Sequence, residues 1–108
     1  MEGLELTAFQ IISSVGTARS CYIEAIQAAK KSDYEEAEKL IKEGDEAFIE
    51  GHDAHAGLLQ KEASGKGNTV NLLILHAEDQ LMSAEAFKTI ALEFIDAYKR
   101  IEALEKKA

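Results

Sequence analysis

The side chains best suited to chemistry lie in one stretch, NLLILHAEDQLMS, Asn71–Ser83. At 3.6 residues per turn, His76, Asp79 and Gln80 share a side, with Leu72 and Leu73 one turn below and Ser83 two turns above the histidine. A neutral imidazole among leucines keeps a lone pair near neutral pH, and apolar surroundings can exclude water from it, so it can act as a nucleophile. The blander reading is a hydrogen-bonded core histidine. No second catalytic group completes a triad with it, and the chain has no GxxxxGK phosphate loop. If His76 acts, it acts alone, on a donor already activated and supplied by a partner.

Asp79 raises a different question. Leu72, Leu75, Asp79, Met82 and Ala86 form a stripe with alternating steps of three and four, and the aspartate stands at a core position of it. Burying a lone carboxylate is costly unless it is paired, protonated or metal-bound. If the stripe is a symmetric interface, copies of Asp79 meet on the axis, where they must share a proton or hold a cation. A hard, oxygen-preferring ion such as Mg²⁺ or Ca²⁺ suits that site. The alternative is an ion pair between Asp79 and a Lys or Arg of a neighbouring helix.

His52 and His55 stand three apart, with Asp53 between them. Two imidazoles fall short of the four ligands of structural zinc. One of the pair is expected to line the groove near His76, and the other to face water.

Composition narrows the class. The chain has 108 residues, no proline and no tryptophan, and is rich in Glu, Lys, Ala and Leu. That favours one all-helical domain with a modest core, burying roughly 65% of the unfolded surface. The net charge of −8 argues against nucleic acid, whose phosphates call for clustered Lys and Arg. An acidic surface suits a basic protein partner, though many soluble proteins are acidic. The single cysteine, Cys21, excludes an internal disulfide and fits a reducing, cytoplasmic setting. No run approaches the ~20 apolar residues of a membrane span, so direct insertion is not expected. The start, MEGLEL, lacks the basic residues of a signal peptide.

Three helices must position these groups. The first is predicted over 4–31, where Leu4, Ala8, Ile11, Val15, Ala18, Tyr22, Ala25 and Ala29 make an unbroken heptad stripe, widened by Ile12, Ile23 and Ile26. Arg19 and Cys21 flank it. The second, over 33–63, opens on a capping box with Ser32 as N-cap and Glu35 reaching back. Its inner face runs Ala37, Leu40, Ile41, Gly44, Phe48, Gly51, Ala54 and Leu58. Glycine inside a helix costs about 1 kcal/mol against alanine, so Gly44 and Gly51 imply close helix approach. Ser64–Gly67 makes the next turn. The third helix is predicted to start near Asn68 or Thr69 and to run to 106. One stripe is Val70, Ile74, Ala77, Leu81, Ala84, Ala91 and Tyr98, the second is the Asp79 stripe, and in the first half of the helix only Asn71, Glu78 and Glu85 form a narrow polar strip. A helix apolar over most of its circumference needs cover on more than one side. Two partner helices cover one side, and the other asks for another subunit. Rods of about 30 residues, roughly 45 Å long, joined by short turns pack as an up-down-up three-helix bundle.

LLILHAEDQLM, Leu72–Met82, resembles the active segment of the enzyme IIA component of the lactose/cellobiose-type phosphotransferase system. The stretches Ile11–Ala29 and Ala47–Gly65 resemble the first and second helices of that family, so the likeness covers almost the whole chain. The resemblance implies that His76 takes a phosphoryl group from the phosphocarrier HPr and passes it to a cysteine of enzyme IIB, with the membrane permease IIC then phosphorylating incoming sugar. It implies a homotrimer of three-helix subunits, nine helices in all, with Asp79 gathered around a metal ion on the three-fold axis. Gln80 matches a position beside the histidine that is polar or histidine in relatives. Many relatives have Gln where this chain has Glu78. Helical spacing puts Glu78 about 160° from His76, so it bears on partner preference more than on transfer.

Under this reading Leu72, Leu73 and Phe87 desolvate the site, and Gln80, Ser83 and His52 surround the phosphoryl group. The axial Mg²⁺ or other divalent cation is structural, and no organic cofactor is needed. The sugar is expected to be a β-linked disaccharide of the cellobiose, chitobiose or lactose type. Two rivals stand beside it. One is a non-enzymatic oligomeric helical adaptor in which His76 and Asp79 are structural. The other is a metal protein built on His52, His55, His76 and acidic residues, although di-metal bundles take an Exx-His pair from each of two helices, and this chain does not show that pairing twice.

Overall fold

The computed structural model describes residues 3–67 and 69–108. They form α1 (Gly3–Lys30), α2 (Tyr34–Ala63) and α3 (Leu72–Lys107), with no strand among the described residues. The heptad stripe of α1 is the spine of the molecule. Ala8, Ile11, Val15, Ala18, Tyr22, Ala25 and Ala29 are all buried. Helix α1 packs along both other helices, whereas α2 and α3 meet little.

Alanine predominates in this stripe because three helix backbones approach closely around it. The large side chains sealed in the core are Tyr22, Ile11 and Val15, each worth roughly 1.5–3 kcal/mol of burial. Ala8, Ile11 and Val15 meet Ala77, Leu81 and Ala84, while Ala25 and Ala29 meet Ile95 with Tyr98 alongside, so α1 and α3 run parallel. Against α2 the order reverses, Ser14 meeting Gly51 and Tyr22 meeting Asp45. The result is an up-down-up bundle with extents of 61 × 22 × 20 Å.

The two helical glycines sit where α2 presses on α1. A Cβ on Gly44 would lie 2.6 Å from Tyr22 Cε1, and one on Gly51 would lie 2.7 Å from Val15 Cγ1. The Gly51 contact is tied by a buried hydroxyl: Gly51 N–H donates to Ser14 Oγ at 2.9 Å, and Ser14 Oγ donates to the Ala47 carbonyl. Tyr22 donates to Asp45 at 2.7 Å and Lys88 donates to the same carboxylate at 3.0 Å, so one aspartate links all three helices.

The helix ends correct the expected boundaries. Ser32 is not the N-cap of α2; its φ is +64°, and its N–H closes α1 on the Ala29 carbonyl at 2.9 Å. The cap is Asp33, which accepts from Glu36 N–H at 3.2 Å. The chain needs one left-handed residue to leave α1, so the capping pattern moves on by one. Gly65, at φ +83°, supplies the same conformation after α2. Helix α3 starts at Leu72, later than expected, because Asn71 is extended and its side chain accepts from Ile74 N–H at 2.9 Å. Val70 therefore lies outside the helix. Of the two expected starting residues, Asn68 falls outside the described residues.

Candidate functional site

His76 stands in the second turn of α3, on the solvent side of a helix whose other side is locked into the core by Ala77, Leu81 and Ala84. The imidazole is exposed, with no hydrogen-bond, ion-pair or ring partner among the described residues. A packing histidine would be covered and bonded, so the ring is free for chemistry with something outside the chain. Leu73 anchors the base of this face in the core, and Leu72 is 82% exposed beside it. Gln80 and Ser83 follow up the same face, half-buried. Phe87 comes next and packs on the cluster of Ala18, Tyr22 and Ala91. Both Gln80 and Ser83 can donate or accept hydrogen bonds at an incoming oxyanion.

Asp79 is exposed too, and so is its whole stripe. Leu72, Leu75 and Met82 are 82%, 54% and 60% exposed, and Ala86 is open to solvent. The position is therefore not a core position of this chain; it lies on an unpartnered apolar face. Asp79 has no cationic partner among the described residues. No group of three or more His, Cys, Asp or Glu in this one chain is placed to hold a metal ion, again among the described residues. A lone oxygen donor in an apolar stripe suits a hard cation only when further copies supply the remaining ligands.

The structure separates His52 from His55. His55 is half-buried and its Nε2 lies 2.5 Å from Glu78 Oε2, bridging α2 to α3 on the side of α3 turned away from His76. The inward-facing member of the pair thus meets the polar strip instead of the expected groove, because α2 packs where Glu78 points. His52 is exposed, with its ring 5.9 Å from that of Phe48 and its Nδ1 3.8 Å from Asp53. The His55–Glu78 pair is not legible in the sequence, because only helix packing puts the two residues opposite each other.

Two further groups have altered proton affinity. Burial, then the bonded Asp45 carboxylate, pushes the Tyr22 phenol well above its ordinary range, so it stays a hydrogen-bond donor. Cys21 is raised by burial and by Glu24 and Glu43, which keeps it a thiol and a poor nucleophile near neutrality.

Fold and site define a class: a narrow three-helix bundle that presents one unpartnered imidazole at its surface. Residues 6–99 match the family described as PTS system, lactose/cellobiose specific IIA subunit. The lichenan-specific phosphotransferase enzyme IIA component of Bacillus subtilis is 41% identical over 100 residues, covering 93% of this chain and 91% of that one. The oligo-beta-mannoside-specific EIIA component of the same organism is 38% identical over 95 residues, covering 88% and 86%. The crystal structure of the PTS cellobiose-specific enzyme IIA from Bacillus anthracis superposes with a TM-score of 0.90 at 39% identity, covering 95% of each chain. The chain belongs to the lactose/cellobiose-specific IIA family and is a phosphotransferase component of a sugar phosphotransferase system.

Proposed function

We propose that this chain is a phosphohistidine carrier, taking a phosphoryl group from phospho-HPr on His76 and handing it to a cysteine of enzyme IIB. The observation that carries this reading is the exposed, unbonded His76 on an otherwise apolar face. One imidazole nitrogen attacks phosphorus in line as the bond to the donor breaks. The transition state is loose, so alignment and electrostatics do most of the work. Leu72 and Leu73 dry the approach, and Gln80 or Ser83, within one or two turns, donates to the phosphoryl oxygens; Phe87, expected to share in this, packs on Ala18, Tyr22 and Ala91 three turns farther along α3.

The working unit is a homotrimer. Its support is the exposed stripe of Leu72, Leu75, Met82 and Ala86, which leaves an apolar face uncovered in the single chain. Asp79, mid-stripe and unpaired, would hold a divalent cation such as Mg²⁺ together with its copies, and that ion would offset the repulsion of converging carboxylates. The chain works in the cytoplasm without crossing the membrane; none of its described helices is long and apolar enough to span one. The sugar is a β-linked disaccharide or short oligosaccharide. Cellobiose-specific and oligo-beta-mannoside-specific relatives support that class.

The adaptor alternative requires a structural His76, and no observation favours it. Incubation with enzyme I, HPr and labelled phosphoenolpyruvate tests the proposal. One acid-labile phosphate per chain, absent in His76→Ala, is the expected result. A labelled His76→Ala protein would overturn it.

A further inference from the structure

We propose that Arg19 is a docking residue for the protein that delivers phosphate to His76, and that it pairs with a carboxylate on that donor. The inference rests on the carrier reading above. Arg19 projects from α1 toward α3, with its guanidinium carbon 5.0 Å from the centroid of the Phe87 ring. Phe87 continues the line of His76, Gln80 and Ser83 along one face of α3. The guanidinium therefore marks the same face as the imidazole, roughly 16 Å farther along the axis at 1.5 Å per residue. That is too far to touch a phosphoryl group on His76 of the same chain. It is well within a protein footprint of about 800 Å².

Charge singles out the same residue. Asp and Glu number 20 against 12 Lys and Arg, yet Arg19 pairs with no carboxylate among the described residues. Its Nε is buried without an acceptor. It is the one cation between residues 3 and 29, and residues 72–87 of α3 contain none. A guanidinium laid on an aromatic ring is already ordered, so it loses less freedom on meeting a carboxylate bidentately. Arginine is also among the residue types that dominate interface energetics.

The donor is the partner this charge fits. It brings a phosphoryl group of about two negative charges to a chain of net charge −8. Arg19 is the positive charge on those two walls that can offset the repulsion and orient the donor. Once phosphate sits on His76, the phosphate itself attracts cationic groups of the acceptor, so the second step depends less on Arg19.

The test compares wild type, Arg19→Gln and Arg19→Glu in phosphoryl uptake from phospho-HPr and in discharge to enzyme IIB, with thermal melts to show that each variant is folded. Arg19→Gln is expected to raise KM for phospho-HPr about tenfold and Arg19→Glu more, with kcat within about twofold and the IIB step changed by less than about threefold. A KM within about twofold of wild type in both variants overturns the proposal, as does a defect confined to the IIB step. If Arg19→Glu does not fold, Arg19→Lys takes its place, keeping the charge and losing the fork; it should fall between wild type and Gln, and a KM no better than that of Gln overturns the charge pairing. Should wild type take up no phosphate, the carrier reading fails. Titration of unphosphorylated HPr then still reads docking, and equal Kd for wild type and Arg19→Gln overturns the Arg19 assignment.

Discussion

Glu78 of α3 and His55 of α2 meet at 2.5 Å on the side of α3 turned away from His76. Elsewhere the two helices make little contact, and α1 mediates their packing. The pair therefore helps to fix how the start of α3, with His76 two residues away, lies against α2. Replacing Glu78 with Gln keeps the shape and a hydrogen-bond acceptor. A loss of about 1 kcal/mol in denaturant unfolding is expected for so partly exposed a pair, with phosphoryl uptake within about twofold of wild type. A tenfold loss of uptake in a fully folded Glu78→Gln protein would mean that the pair reaches the chemistry.

Gly44 and Gly51 test the closeness of α1 and α2. Alanine is the better helix former by about 1 kcal/mol, so propensity alone predicts a gain from Gly44→Ala. The new methyl would stand 2.6 Å from Tyr22 Cε1, and Tyr22 is 1% exposed and tied to Asp45. Overpacking of that kind costs about 1–3 kcal/mol, so a net loss of roughly 1 kcal/mol is expected in chemical denaturation. Gly57 offers the control. A Cβ there meets nothing within 4 Å, so Gly57→Ala should stabilise.

For His76, substitution by alanine removes an exposed side chain without a partner. The midpoint of thermal unfolding should move by little, because exposed substitutions of this kind stay within about 0.5 kcal/mol. Phosphoryl uptake should vanish. The combination of an unchanged melt and zero uptake separates loss of chemistry from loss of fold.

Asp79 predicts the role of an ion. Asp79→Leu fills the stripe of Leu72, Leu75 and Met82 with one more apolar group and removes the charge that would need a counter-ion. Sedimentation is expected to show the proposed trimer retained, and elemental analysis to show no bound divalent metal. A monomeric Asp79→Leu protein would show that the ion is required for assembly.

One ion pair carries a pH signature. The Lys106 ammonium, 2.9 Å from Glu102, is the main cause holding that carboxyl down to about 2 from an ordinary value of 4.5. A lowered folded-state value means the stabilisation is complete above the unfolded value and disappears as pH falls from about 4.5 to about 2. Glu102→Gln should therefore lower the melting temperature slightly at pH 7, and the difference from wild type should close at the acid end of that window. A difference that persists undiminished below pH 2 would point to packing of the stem instead.

Much of this molecule is legible without coordinates, because helical periodicity ties burial to spacing. The stripe from Ala8 to Ala29 and the close approach at Gly44 and Gly51 follow from period and residue size alone. The segment around His76 likewise carries its own signal, an imidazole and a carboxylate in an apolar run. Local periodicity does not say which of two apolar stripes on α3 faces inward. Packing buries the stripe of Ala77, Leu81 and Ala84 and leaves the one bearing Asp79 exposed. Nor does it choose partners across helices, since a contact such as His55–Glu78 or Arg19–Phe87 depends on the rotation of one rod against another. The cap at Asp33 shows the same limit on a smaller scale. Ser32 and Asp33 each begin a valid capping pattern, and only the left-handed exit from α1 decides between them.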